Sequence, residues 1–214
     1  VPKVEKWIPE RALEYVSTYI HQELPEPELL TIGFYSHAAW LRKQEGHSDN
    51  GLNIHAGEMQ LLKDLSLLVE QIPNTKIVIF LHPRERKEEV FDSTKAFYSE
   101  QFPSTPFEFS DPAIPSSDGF HLVDMGIAVY STILYERLFC GYKSFIGNYG
   151  MTDFPDPDAS LSNICFQSFD ALKEQITIAK EESRQEFFKR CDLEGYRFDQ
   201  YPAYEQLKSN PVLP

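Results

Sequence analysis

The sequence predicts an α/β fold with a doubly wound, mostly parallel sheet. Short runs such as Ile77-Val78-Ile79-Phe80-Leu81 are continuously apolar rather than alternating, the pattern of strands buried on both faces. Stretches of helical period separate those runs, as crossovers between parallel strands require. Neither a GxGxxG nor a Walker A sequence occurs, so the usual dinucleotide and P-loop readings lack their motif.

Taken in order, residues 9–24 read as a helix: Ala12, Leu13, Val16, Tyr19 and Ile20 recur at helical spacing, and Pro25 and Pro27 stop it. Residues 29–35 follow as a strand with Ser36 and His37 at its carboxyl end. A polar loop over 43–56, with Gly46, Asp49, Asn50 and Gly51, is long enough for a binding loop or a mobile one. A helix over 58–72 carries Leu61, Leu62, Leu65, Leu68 and Val69, and Asn74 turns the chain into the strand that ends at His82. Residues 84–102 predict a charged helix with Val90, Phe91, Ala96 and Phe97 on its apolar side. A short strand at 107–109, a Pro/Ser/Asp loop at 111–119 and a helical turn at 121–125 lead to a strand over 127–130. The helix over 133–140 stops at Gly141, and strands at 144–146 and 164–166 bracket a loop with Pro155 and Pro157. A last long helix starts with Asp170 as its N-cap and runs through Leu172, Ile176, Ala179, Ser183 and Phe187. The resulting parts are an N-terminal helical extension (1–28), the sheet domain (29–192) and an aromatic tail (193–214) holding Tyr196, Phe198, Tyr201 and Tyr204.

A chain of 214 residues with 42% hydrophobic and 14% aromatic side chains can bury a core of ordinary size. Its net charge of −13 argues against nucleic acid or anionic lipid as a partner, because phosphate polymers demand a basic field. A small anionic ligand stays compatible, since a few local donors suffice for one phosphate. Three scattered cysteines (Cys140, Cys165, Cys191) without a CxxC predict neither a disulfide framework nor a cysteine zinc site, and favour a reducing compartment. No apolar run reaches the length of a membrane span. The chain opens Val-Pro-Lys, without an initiating Met or signal peptide, and is expected to be a processed protein or a piece of a larger one.

Chemistry concentrates at two strand ends. His82-Pro83 closes one apolar run, and Ser131-Thr132 closes Ile127-Ala128-Val129-Tyr130, with Glu136 one helical turn further on. Pro83 lacks an amide hydrogen and holds His82 extended, so its imidazole is presented at the strand tip. There it can donate a hydrogen bond or a proton to a phosphate oxygen, or simply bond a neighbouring carbonyl. Ser131 and Thr132 read either as anion-holding hydroxyls at a helix start or as a plain N-cap. Glu136 shares a face with Thr132 and reads either as a ribose-diol acceptor or as a capping-box glutamate. Ser36 and His37 line the same cleft or are turn residues. Glu58 is expected to complement its own helix dipole. The run Arg84-Glu85-Arg86-Lys87-Glu88-Glu89 reads as a solvated helix start, with Arg84 in reach of a phosphate. His47, Asp49 and His55 share a loop, but their spacing carries no metal signature. No cofactor and no metal are expected.

Residues 30–190 resemble the nucleotide-binding C-terminal half of GT-B glycosyltransferases, which is Rossmann-like. The nearest resemblance is to bacterial sialyltransferase and capsule-polymer enzymes carrying a His-Pro motif and a later Ser-Ser/Thr motif. The matching stretches are Ile77-Val78-Ile79-Phe80-Leu81-His82-Pro83, Ala128-Val129-Tyr130-Ser131-Thr132-Ile133-Leu134-Tyr135-Glu136 and Gly141-Tyr142-Lys143-Ser144-Phe145-Ile146. The resemblance implies a nucleotide-sugar donor, CMP-sialic acid first and a UDP- or GDP-sugar second, with a glycan as acceptor. It makes His82 the catalytic contact to the leaving phosphate. Ser36, His82, Pro83, Ser131, Thr132 and Glu136 form the nucleotide-binding set, Ser131 and Thr132 on phosphate and Glu136 on ribose. Those donors neutralise the leaving phosphate without a metal. The family's general base lies on an N-terminal half for which only about thirty residues are present here, so a separate N-terminal domain or partner chain is implied. The expected compartment is the cytoplasm or the periphery of the inner membrane. Two rival readings stay open: a CDP-polyol phosphotransferase of the teichoic-acid type, and a non-catalytic interaction module using the Pro-rich loops and tyrosine-rich tail. Every version that binds nucleotide requires the tips of two neighbouring central strands to converge.

Overall fold

The computed structural model describes residues 29–47, 53–105, 107–129, 131–149 and 159–197. The predicted helix over 9–24, Asp49 and most of the aromatic tail lie outside these residues.

Six strands form one sheet: β1 (Leu30–Tyr35), β2 (Thr75–Phe80), β3 (Phe107–Phe109), β4 (Met125–Ala128), β5 (Lys143–Gly147) and β6 (Cys165–Phe166). Their order is β3-β2-β1-β4-β5-β6, and every pairing is parallel. Successive side chains of a strand point to opposite faces, and every residue of β4 and β5 is buried, so helices cover both sides. This is the doubly wound α/β architecture the apolar runs predict, parallel throughout.

Between the strands lie α1 (Ala39–Gln44), α2 (Ile54–Gln71), α3 (Glu88–Gln101) and α4 (Ile133–Phe139), and α5 (Phe169–Glu181) and α6 (Arg184–Arg190) follow β6. The expected long loop after β1 is shorter than the sequence suggested. A six-residue helix, α1, occupies its start, and α2 begins four residues before Glu58. The charged helix begins at Glu88 rather than 84, because residues 82–85 fold back as a turn, with Glu85 N donating to His82 O at 2.8 Å. The strand expected over 127–130 sits two residues earlier. The expected last helix is two helices. Ser168, not Asp170, caps α5, its hydroxyl accepting from Ala171 N at 3.3 Å. Ser183 then opens α6 with a reciprocal capping box to Glu186. The start of the tail belongs to the body: Leu193 is fully buried and Tyr196 packs on the core.

One buried charge organises the packing of α4 on the sheet. The Arg137 guanidinium lies between the rings of Tyr35, Phe120 and Tyr142, at 5.6, 5.2 and 5.3 Å from their centroids. It donates to Tyr35 Oη, Phe120 O and Lys143 O at 3.0, 3.1 and 3.3 Å. Only a glycine fits beneath it on β4. A Cβ at Gly126 would sit 2.3 Å from Arg137 Nε and 2.6 Å from its Cδ. No described helix is long and apolar enough to cross a membrane.

Candidate functional site

All six strands run the same way, so their carboxyl ends share one edge, and the chain's chemistry gathers there. The order reverses between β1 and β4, which makes the β1 tip the switch point where open α/β sheets bind ligands. The His-Pro motif follows β2 and the Ser-Thr motif follows β4. The sequence reading requires neighbouring strands, and these are not: β1 runs between them. Two strand spacings put the backbones of the two tips about 10 Å apart.

At the β2 tip, both main-chain polar groups of His82 are held by Glu85. His82 N donates to Glu85 Oε2 at 2.9 Å, and His82 O accepts from Glu85 N at 2.8 Å. Arg84 N donates to His82 Nδ1 at 3.1 Å. A backbone N–H can only donate, so Nδ1 accepts, and the proton of the neutral ring sits on Nε2. Burial lowers the His82 pKa to about 4, helped by Arg42, His37, Arg84 and Arg86. In the unliganded chain this ring is neutral and offers a hydrogen bond rather than a proton. Pro83 is exposed at the turn. Arg84 pairs with Glu45 at 2.9 Å, and Arg86 ties Leu81 O to Ile114 O and Ser116 Oγ, pinning the loop after β3 to this tip.

Glu85 corrects the reading of residues 84–89 as a solvated run. It is fully buried, and besides His82 N it accepts from Trp40 Nε1 at 2.6 Å and Tyr98 Oη at 3.3 Å. Burial raises its pKa, while hydrogen bonds from Ser36, His82 N, Trp40 and Tyr98 pull the other way. Its signal was present in the sequence: a carboxylate three residues after a chain-reversal residue is the spacing of a capping box.

At the β1 tip, Ser36 is buried, its Oγ accepting from Ala38 N at 2.8 Å and lying 3.2 Å from Tyr98 Oη. Ser36 is thus bonded within the protein at this tip. Glu58 is likewise inside. Its carboxylate accepts from His37 N at 2.5 Å and Ala39 N at 3.0 Å, so it caps the start of α1 rather than serving its own helix dipole. Burial pushes its pKa up to about 8, against the pull of those amides and Arg42. His37 is half-buried, its ring 6.1 Å from the His82 ring at an interplanar angle of 66°. Burial and Arg42 lower its pKa to about 4.

At the β4 tip, Ser131 is half-buried and Thr132 exposed, and Thr132 makes no side-chain cap bond to α4. The capping-box alternative for Glu136 thereby loses its partner. Glu136 is half-buried, and burial alone pushes its carboxyl up to about 7. The first turn of α2 abuts this tip: a Cβ on Gly57 would lie 3.1 Å from Val129 Cγ1. Among the described residues, no group of three His, Cys, Asp or Glu could hold a metal. His47 lies 3.3 Å from Glu45.

No family model and no curated protein matches the chain in sequence. Solved structures match in fold. The apo structure of OtsA is 9% identical over 94% of this chain and 50% of its own, with a TM-score of 0.51. The α,α-trehalose 6-phosphate synthase of Burkholderia multivorans is 9% identical over 94% of this chain and 48% of its own, at 0.50. The likeness is one of fold: the chain has the all-parallel, Rossmann-like α/β fold of the domain it matches in these structures. It spans about half the length of these structures. The wall teichoic acid polymerase TagF is also similar, 14% identical over 96% of this chain and 46% of its own, at 0.47.

Proposed function

We propose that this chain is the donor-nucleotide half of a GT-B glycosyltransferase. It binds the phosphate of a nucleotide sugar between the tips of β2 and β4, with CMP-sialic acid as the first donor. One observation carries the reading. The parallel order brings His82 to one side of the switch point and Ser131, Thr132 and Glu136 to the other, on a single edge. The gap of about 10 Å between the two backbones is one that side chains from both sides and a phosphate group together can bridge.

In this reading His82 Nε2–H and the hydroxyls of Ser131 and Thr132 donate to phosphate oxygens, and Glu136 accepts from the ribose diol. During transfer the bond from the anomeric carbon to the phosphate oxygen breaks, and its electron pair stays on the phosphate. Hydrogen bonds aimed at that oxygen stabilise the developing charge. The acceptor hydroxyl of a glycan forms the new bond and gives its proton to a base on a separate domain or partner chain. A bound phosphate would also raise the His82 pKa, making proton donation to the leaving nucleotide available in the complex. The cytoplasm, or the inner-membrane periphery, is the compartment this chemistry suits.

Calorimetry with CMP, UDP and GDP tests the reading. Wild type binds one of them, CMP first. His82→Ala and Ser131→Ala each weaken that binding tenfold or more, since a hydrogen bond to a charged group is worth about 1.5–3 kcal/mol. A chain that binds none of the three, or variants that both bind like wild type, overturns it. CDP-glycerol in the same screen separates a polyol-phosphate donor from a sugar donor.

A further inference from the structure

We propose that Glu85 is the positioning residue of this site: its carboxylate fixes the tautomer and direction of the His82 imidazole. The inference rests on the proposed function and deepens it, because it names what holds the residue on which that reading turns. Glu85 closes a short turn onto the main chain of His82. Its Oε2 accepts from His82 N at 2.9 Å, and its own N donates to His82 O at 2.8 Å. The same turn brings Arg84 N to 3.1 Å from His82 Nδ1, which makes Nδ1 the acceptor and leaves the ring proton on Nε2. Opening the turn therefore releases tautomer and ring direction together.

The other oxygen anchors that turn to two helices. Glu85 Oε1 accepts from Trp40 Nε1 of α1 at 2.6 Å and from Tyr98 Oη of α3 at 3.3 Å. Trp40 in turn stacks on Phe97, with ring centroids 4.7 Å apart and planes 12° from parallel, and Tyr98 is buried. This place requires a carboxylate. The His82 amide and the Trp40 indole can only donate, and they meet opposite oxygens of one group. A carboxylate accepts at both, whereas a carboxamide accepts at one end and sets its NH2 against the other donor. A buried donor facing a donor loses its bond and goes unsatisfied. Glu85→Gln thus keeps the shape and breaks the hydrogen bonding. Adding Trp40→Phe removes one obligate donor, so the amide oxygen can serve His82 N while its NH2 turns to Tyr98 Oη. That hydroxyl accepts as well as donates, and Ser36 Oγ, 3.2 Å away, is there to take its proton.

The test pairs imidazole 15N resonances of His82 with calorimetry of CMP, UDP and GDP. In Glu85→Gln the ring is expected to pass from the Nε2–H tautomer to a mixture, and its pKa to climb from about 4 toward 6.5 as it moves into water. Loss of a negative charge alone would lower that pKa, so a rise reports movement of the ring. Wild-type tautomer and pKa in Glu85→Gln overturn the inference. Nucleotide binding should weaken tenfold or more in Glu85→Gln and recover when Trp40→Phe is added. In a His82→Ala background Glu85→Gln should cost nothing further. Additive losses would mean that Glu85 acts by another route, which overturns the inference and leaves the donor reading standing. A wild type that binds none of the three overturns the donor reading, and the resonances still decide the hold of Glu85 on the ring. Should Glu85→Gln fail to fold, Glu85→Asp takes its place. It keeps the charge but draws the carboxylate back by one methylene, so the same changes in tautomer and pKa are expected, and wild-type values again overturn the inference.

Discussion

Glu58 shows how far a side chain's role depends on what the fold brings to it. The sequence presents an acid near the start of a helix, where it would ordinarily face solvent. In the structure its carboxylate is buried against two backbone amides of another element. Burial raises its folded pKa from the ordinary 4.5 to about 8, so between those values the folded state keeps a proton that the unfolded chain releases. Its stabilising contribution is complete below about pH 4.5 and is lost as pH rises through 8. His37 and His82 act with the opposite sign. Their folded pKa values of about 4 make the folded state resist protonation, so their contribution is present above 6.5 and lost as pH falls toward 4. The wild-type profile blends the two signs, and a difference measurement separates them. Glu58→Gln cannot ionise, so the melting temperature of wild type should fall relative to that of this variant from pH 6 to pH 9. A gap that stays constant would show that Glu58 titrates in its ordinary range.

The contact of α4 with β4 is the most exacting in the sheet domain. Arg137 lies against Gly126, and a Cβ there would meet its Nε, its Cδ and the Tyr35 ring together. The guanidinium cannot easily retreat, because three aromatic rings and two carbonyls hold it. Gly126→Ala should therefore destabilise by about 1–3 kcal/mol, the usual cost of overpacking. The check is the midpoint of urea unfolding. An unchanged midpoint would mean that α4 can shift, and with it Glu136 at the other side of the helix start. Elements near the candidate site are legible in the sequence to different degrees. The helix over 133–140 was placed within one residue, because Gly141 stops it and its apolar face is regular. The segment 84–87 was misassigned because a charged run resembles a solvated helix when its tertiary partners are out of view. The helix expected from Asp170 through Phe187 is two, since a Ser-x-x-Glu box inside a periodic stretch outweighs the period.

At the scale of the whole molecule, ligand linkage separates a nucleotide-binding half from an interaction module. A nucleotide at about 100 times its Kd adds roughly 2.7 kcal/mol of stability. For a domain of this size that is a rise of about 5–10 °C in melting temperature. Its absence for CMP, UDP, GDP and CDP-glycerol, together with a stable protein complex on size exclusion, would favour the module. The chain spans about half the length of the solved structures that share its fold. A companion domain with an acid poised over the β1 tip would complete the transfer chemistry proposed for His82.

The sequence by itself determined the α/β class, the strands and the presence of two motifs at carboxyl ends, since continuous apolar runs and turn residues are local signals. It could not determine strand order, because pairing is chosen among segments far apart in the chain. Only the tertiary structure set β1 between the motifs, which puts the Ser36-His37 turn between them on one edge. It also drew Glu58, Glu85 and Ser36 inside. Burial belongs to the neighbours that surround a group, and no local pattern announces them.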